Sequence, residues 1–390
     1  MSDYRALEDF HTKHGLTKTV EESAALALKL GCHVCAGYVY EHVMAAYNQG
    51  LVTEDDISRA AIAAMRTRIR LGLFDEVCAF DNIPMDVISC KEHNGYSLET
   101  ARRSMILLKN NGILPLGASR YNKIAVIGPN TDSRDALVGN YFGTAERYNA
   151  FLMGIQDAFG GRVFHSQGSH LYKLGTSGLT RPNDRIVEAV AIAQHCDVSI
   201  LCIGLDANLE GEEGDAANAL LQVWYPGPHG GEALEDILFG KTSPSGKLPV
   251  TFYEDADLLP DFTDYATKNR TYRFIEGNVL YPFGFGLTCS QVDCIDVSYK
   301  NGKVSVTAQN VGSVATEDVV QIYIKDNKSV HVVKNHRLCG FARIYLDASE
   351  KRLLKSKLTK LPLMWWTKQA GDLLILTALP FLQVPAGRMN

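Results

Sequence analysis

Two apolar runs decide the fold class of this chain: Ile124-Ala-Val-Ile-Gly-Pro-Asn130 and Asp197-Val-Ser-Ile-Leu-Cys-Ile-Gly204. Each run is short, continuous and rich in β-branched residues, which is typical of a strand buried on both faces. A helical pattern covers residues 184–194, between the two runs. Strands that alternate with helices predict a parallel α/β sheet, and ligands of such sheets bind at the carboxyl ends of the strands. The segment that follows Ile203 is therefore the first place to look for a site.

That segment, Asp206-Ala-Asn-Leu-Glu-Gly-Glu-Glu-Gly-Asp215, is acidic and contains several glycines. Carboxyl groups at the end of a buried strand can lose solvent, which raises the pKa of one of them and suits acid catalysis. A solvated turn is the alternative interpretation. A calcium-binding EF-hand is rejected because its twelfth position falls on Ala217 and a strand precedes the loop.

A second candidate acid is Asp3, although a single Asp near an N-terminus is more often structural. The sequence Cys32-His-Val-Cys35 has the spacing of half a zinc site, but no second pair of cysteines or histidines follows it. A short buried strand is the favoured interpretation of those four residues. The chain has no Walker loop, and Gly128-Pro-Asn130 lacks a dinucleotide fingerprint. We therefore predict neither a metal nor a cofactor.

The remaining elements follow from caps and periodicity. Thr19 with Glu22, and Thr53 before three acidic residues, predict two helix starts. An apolar stripe of Ile62, Met65, Ile69 and Leu73 marks the second of these helices. Another helix is predicted from Tyr96 to Lys109. Beyond about residue 290 the apolar pattern changes to period two, which predicts a small antiparallel β-sandwich.

Composition excludes several classes of protein. The 390 residues include 39 Lys and Arg against 44 Asp and Glu, so nothing suggests a nucleic-acid partner. No apolar run reaches the roughly 18 residues that a membrane span requires. Nine cysteines, an odd number in a long chain, argue against a disulfide framework. Because the first residues show no signal-peptide pattern, they predict a cytoplasmic location. The oligomeric state is left open.

Several motifs, taken in order, resemble glycoside hydrolase family 3, the β-glucosidase and β-xylosidase group. They include residues 2–10, residues 106–116, the acidic segment, Trp224-Tyr-Pro-Gly227 and Leu280-Tyr-Pro-Phe-Gly-Phe-Gly286. Residues 23–32, 139–143, 244–252 and 270–273 also match. Each motif alone is weak, but their common order from residue 2 to about residue 350 is specific.

The resemblance implies a hydrolase of carbohydrate metabolism that cleaves terminal β-linked glucose or xylose with retention of configuration. Its substrate would be a β-linked oligosaccharide or glycoside. The family's nucleophile maps onto Asp3. Its acid/base residue maps onto Glu210, with Glu212 as the alternative. Retaining cleavage requires one ionised and one protonated carboxyl group about 5–5.5 Å apart, which agrees with this pair.

The resemblance also implies a multi-domain α/β plus β architecture. We expect residues 1–75 to be the C-terminal remnant of a (β/α)8 barrel and residues 76–95 to be a linker. Residues 96–288 would form the α/β sandwich domain, with an internal deletion near 216–220. Residues 289–390 would form a fibronectin-III-like domain that is atypical after about residue 351. A barrel needs about 250 residues, so we expect impaired activity, and the alternative is an inactive fragment with a carbohydrate-binding or structural role.

Overall fold

The computed structural model describes residues 1–78, 80–117, 119–139, 142–159, 162–171, 185–204, 219–261, 264, 266–300, 303–325, 335–357 and 374–376. The chain divides into two compact units, Met1–Val87 and Ile88–Asn390. Among the described residues, no helix is both long enough and apolar enough to cross a membrane.

The first unit is helical. It contains α1 (Asp9–Thr12), α2 (Val20–Lys29), α3 (Val43–Asn48) and α4 (Glu54–Arg70), with short 3-10 helices at Val39–His42 and Met85–Val87. Both predicted caps are present: the Thr19 hydroxyl accepts from Glu22 N, and the Thr53 hydroxyl accepts from Asp56 N, each at 3.2 Å. Small buried side chains on α2 let the helices approach closely, and they pack into two small cores. These cores consist of Leu7, Ala24, Ala27 and Val39, and of Ala25, Leu28, Ala46, Val52 and Ala60.

The prediction of a buried strand at residues 32–35 is wrong. These residues form no strand, and the side chain of Val34 is 40% exposed. The segment that starts at Ser2 makes two backbone bonds here: Ser2 N donates to Val34 O at 2.9 Å, and Arg5 N donates to Ala36 O at 2.6 Å. Two isolated bonds do not make the repeating ladder that defines a strand.

The apolar stripe of α4, whose last predicted member Leu73 lies just beyond the end of the helix, is largely exposed. Ile62, Ile69 and Leu73 are 58%, 60% and 63% exposed, and Met65 is 39% exposed. The periodicity that predicts the helix is correct, but its apolar side is largely exposed in the part of the chain that the structure describes.

The second unit begins with α5 (Lys91–Ser104), followed by strand β1 (Ile106–Asn110). The helix predicted from Tyr96 to Lys109 therefore begins earlier and ends earlier than expected. Ile106, Leu107 and Leu108 are buried, and β1 pairs antiparallel with β5 (Ala219–Gln222). Pairing with a strand more than a hundred residues away overrides the local helical pattern, since strand formation depends on tertiary context.

The predicted parallel sheet is confirmed. Its order is β3 (Val163–Ser166), β2 (Ile124–Ile127) and β4 (Val198–Leu201), with both outer strands parallel to β2. Alternate residues of β2 face opposite helical layers: Ile124 and Val126 pack in the cluster that includes α6 (Phe151–Phe159) and α8 (Gly230–Leu238). Ala125 and Ile127 pack against α7 (Ile186–Gln194). Both faces of the sheet are covered, which explains the continuous apolar runs.

After the short helix α9 (Thr271–Phe274), antiparallel strands form the predicted β-sandwich. They are β6 (Val292–Lys300), β7 (Lys303–Asn310), β8 (Thr316–Lys325), β9 (Arg337–Leu346), β10 (Lys351–Lys357) and β11 (Leu374–Leu376). One sheet has the order β10-β7-β6 and the other β11-β8-β9. Their inner faces meet in a core that includes Val304, Val306, Val320, Ile322 and Ile344. This is the fold that the period-two pattern predicts.

Candidate functional site

The carboxyl ends of the three parallel strands lie at one edge of the sheet. β2 ends at Ile127, β3 ends at Ser166 and β4 ends at Leu201. The chain continues from β4 through Cys202 to Gly204 and then enters the acidic segment. The acidic segment therefore begins at the edge where parallel α/β sheets bind their ligands.

Asn130 holds the chain where it leaves β4. The side chain of Asn130 is buried, and its Nδ2 donates to Gly204 O at 2.8 Å. Its backbone N donates to Cys202 O at 3.3 Å, while Cys202 N donates to Ile127 O at 2.8 Å. Two bonds from one residue thus hold the chain in place at Cys202 and Gly204.

Gly128 allows this close approach of two loops. Its φ is +137°, and a Cβ built at this position would lie 2.1 Å from Cys202 O. Only glycine fits, because a side-chain carbon would overlap the backbone of the neighbouring loop. Nearby, the Thr131 hydroxyl donates to Gly128 O at 2.9 Å and lies 2.7 Å from His165 Nε2.

Cys202 follows β4 at this edge and is a potential nucleophile, but its environment keeps it inert. Burial raises the pKa of the Cys202 thiol to about 12. The thiolate is the reactive form of cysteine, so this residue stays a protonated, structural side chain at neutral pH.

Asp3 lies in the first unit, where its carboxylate is exposed. One of its oxygens, Oδ1, accepts a hydrogen bond from Tyr4 N at 2.7 Å. The chain on either side is tied to residues 34–36, because Ser2 Oγ accepts from Ala36 N at 2.9 Å and Arg5 N donates to Ala36 O. Asp3 is thus an accessible carboxylate on a backbone that is held on both sides.

The cation beside Asp3 is already engaged. Arg5 makes two hydrogen bonds to Glu8, from Nε at 2.6 Å and from Nη2 at 2.9 Å. These bonds lower the pKa of Glu8 to about 2. The guanidinium of Arg5 is therefore occupied by Glu8, which orders the turn that follows Asp3.

The predicted partner of Asp3, Glu210, lies outside the described residues, as does its alternative Glu212. The pairing of Asp3 with Glu210 therefore stays a prediction. Sequence reasoning missed the roles of Asn130 and Gly128, although both stand in the loop directly after β2. An asparagine and a glycine at the carboxyl end of a strand are the signal that could have identified them.

The cysteine pair at 32 and 35 has local partners. Cys32 Sγ donates to Val34 O at 3.5 Å, and Cys35 Sγ donates to Gly37 O at 3.6 Å. Within the described part of the chain, no group of three or more His, Cys, Asp or Glu side chains could hold a metal ion.

Comparison with protein families identifies the class. The model of the glycosyl hydrolase family 3 C-terminal domain matches residues 105–219 and 215–289, and that of the fibronectin type III-like domain matches residues 318–377. The α/β domain followed by the β-sandwich is thus a glycosyl hydrolase architecture. The chain belongs to glycoside hydrolase family 3, which confirms the resemblance of its motifs.

Two characterised relatives illustrate the range of the family. β-D-xylosidase 1 of Arabidopsis thaliana is 30% identical over an alignment of 372 residues that covers 81% of this chain and 47% of that protein. The periplasmic β-glucosidase of Salmonella typhimurium is 26% identical over 95% of this chain and 59% of its own length. The chain therefore spans about half of the length of these relatives.

Solved structures agree with the fold. A family 3 exo-β-xylosidase in complex with a xylobiose aziridine probe has a TM-score of 0.79 at 23% identity, covering 92% of this chain and 56% of its own. A β-glucosidase from Erythrobacter marinus has a TM-score of 0.74 at 27% identity, and the match covers 91% of this chain and 57% of that structure's chain.

Proposed function

We propose that the chain is a retaining glycoside hydrolase that acts on terminal β-linked glucose or xylose. The observation that carries the proposal is that Gly204, the last described residue before the acidic segment, follows β4 at the carboxyl edge of the sheet, where Asn130 holds its carbonyl. Membership of family 3 supports the type of reaction, and the names of the relatives support the two sugars.

In the proposed reaction, Asp3 is the nucleophile and Glu210 is the acid/base. The Asp3 carboxylate attacks the anomeric carbon, while Glu210 gives its proton to the leaving oxygen. The glycosyl ester on Asp3 is then hydrolysed by a water from which Glu210 takes a proton. Both inversions at the anomeric carbon together retain its configuration.

We further propose that residues 1–75 correspond to the C-terminal end of a (β/α)8 barrel. The exposed apolar stripe of α4 supports this, because the outer helices of such a barrel bury one side against neighbouring elements. The domain boundaries and the internal deletion near 216–220 remain predictions.

The test is release of nitrophenol from aryl β-xyloside and aryl β-glucoside by the purified chain. We expect Asp3→Asn and Glu210→Gln each to lower turnover by at least about 100-fold. Glu212→Gln is the matched control in the same segment, and we expect it to keep most of the activity. Equal losses for Glu210→Gln and Glu212→Gln would refute the assignment of the acid/base.

Azide distinguishes the two roles. With Glu210→Ala, azide should attack the glycosyl ester and give a β-glycosyl azide. With Asp3→Ala, azide should replace the nucleophile directly and give an α-glycosyl azide. A xylobiose aziridine should also form an ester on Asp3, which mass spectrometry of the N-terminal peptide detects. A folded chain with neither turnover nor labelling would support the alternative, an inactive fragment.

A further inference from the structure

A cavity of about 380 Å³ lies in the second unit, apart from the carboxyl edge of the parallel sheet. One wall is the outer face of β8 and β9, where Gln321 pairs with Phe341 and Val319 pairs with Arg343. The opposite wall includes Trp224, Leu248 and Phe283. The volume lies within the roughly 300–1,000 Å³ typical of small-ligand sites.

The charged side chains that line the cavity are neutralised within the protein. Arg343 Nη1 contacts Glu317 at 3.3 Å. Arg103 contacts the same carboxylate from Nη2 at 3.5 Å and also contacts Glu99 from Nε at 2.7 Å. Lys247 Nζ contacts Asp318 Oδ1 at 2.7 Å and also donates to a backbone carbonyl. Because each cation has a carboxylate partner, the cavity offers little attraction to an anion and suits a neutral ligand.

Aromatic rings supply much of the remaining surface. Phe341 is 70% exposed, and Phe283 is stacked on Tyr272 with the ring centroids 4.0 Å apart. Trp224 has a φ of +55°, a conformation that costs energy for a bulky side chain. Such strained residues cluster at ligand sites, where the surrounding structure holds them in place. Trp224 therefore contributes a ring to the cavity wall from a backbone that the surrounding structure must hold in place.

We propose that this cavity is a second saccharide site, which binds one neutral pyranose of a β-linked oligosaccharide against Trp224 and Phe341. A pyranose with equatorial hydroxyl groups has an apolar C–H surface on each face, which packs on aromatic rings, while its hydroxyl groups can accept from the guanidinium of Arg343. The choice of a sugar over another neutral ring rests on the proposed function. The existence of the site does not, because it uses neither Asp3 nor Glu210.

The test is calorimetric titration of the full chain with xylotriose and with cellotriose. We expect Phe341→Ala to weaken binding about fivefold to tenfold and Phe341→Tyr, which keeps the ring, to change it less than twofold. Tyr345→Ala is the matched control, because Tyr345 lies two residues from Arg343 on the same strand, is 54% exposed and does not line the cavity. Equal thermal melting of the variants excludes misfolding as the cause.

A double variant, Asp3→Ala with Glu210→Ala, separates this site from the proposed active site. Binding that persists in the double variant and falls with Phe341→Ala supports the second site, whether or not the chain has activity. Binding that disappears in the double variant and is unchanged by Phe341→Ala overturns it while leaving the proposed function intact. Absence of saccharide binding, or binding of phenol but of neither trisaccharide, also overturns it.

Discussion

Gly128→Ala is the change that tests most directly how the loops at the carboxyl edge of the parallel sheet are held. The new Cβ would lie 2.1 Å from Cys202 O and 2.8 Å from Cys202 C, both backbone atoms that cannot rotate away. A φ of +137° costs a non-glycine residue about 1–3 kcal/mol. Moving the loops apart would also break the bond from Asn130 N to Cys202 O, at about 1 kcal/mol. We expect a loss of about 2–4 kcal/mol in the free energy of unfolding.

Gly95→Ala is the same chemical change with the opposite expectation. Gly95 lies inside α5 in the same unit, and nothing lies within 4 Å of the position of its Cβ. Alanine in a helix interior is favoured over glycine by about 0.8–1 kcal/mol, so this variant should be more stable than the wild type. Urea denaturation followed by circular dichroism measures both, and hydrogen exchange of residues 124–131 locates the effect. If Gly128→Ala unfolds within about 0.5 kcal/mol of the wild type, the close approach of the two loops is wrong.

Three further predictions concern other parts of the chain. Asn310 is fully buried and makes hydrogen bonds to Ser290 Oγ and to several backbone groups. Asn310→Ala should therefore lower the free energy of unfolding, measured by urea denaturation, by about 3–5 kcal/mol. The control Gln309→Ala, one residue earlier, should lower it by less than about 1 kcal/mol. Asn130→Asp keeps the size of the side chain but loses the donor to Gly204 O. We expect faster hydrogen exchange of the Cys202 backbone N–H in this variant. An unchanged exchange rate would contradict the role given to Asn130. Because the pKa of Glu8 is lowered from 4.5 to about 2, its contribution to stability is present above pH 4.5 and is lost as the pH falls toward 2. The stability difference between the wild type and Glu8→Gln should therefore shrink on acidification, and a difference that is independent of pH would refute it.

Helix caps and the apolar pattern were sufficient to predict much of the fold. Thr19 and Thr53 cap helices as expected, since a capping bond involves residues only three positions apart. The run at residues 124–130 predicts a strand covered on both faces because both sides of that strand must be apolar. The period-two pattern after residue 290 likewise places alternate side chains in the core of the sandwich.

The errors occur where a distant partner decides the outcome. The run at residues 106–109 suits either a helix or a strand, and pairing with β5 makes it a strand. The segment at 32–35 has the composition of a strand but lacks a continuous partner. The stripe of α4 is apolar on one side, yet periodicity cannot say whether that side is covered.

The sequence by itself determined the family, the order of the domains and two candidate acids, because motifs and periodicity are local properties of the chain. Only the tertiary structure showed that Asn130 holds Gly204, that Gly128 must lack a side chain, and that Trp224 and Phe341 line one cavity. Each of these features joins atoms that lie many residues apart in the chain. Their distances are set by how sheets and helices pack, and no local pattern encodes them.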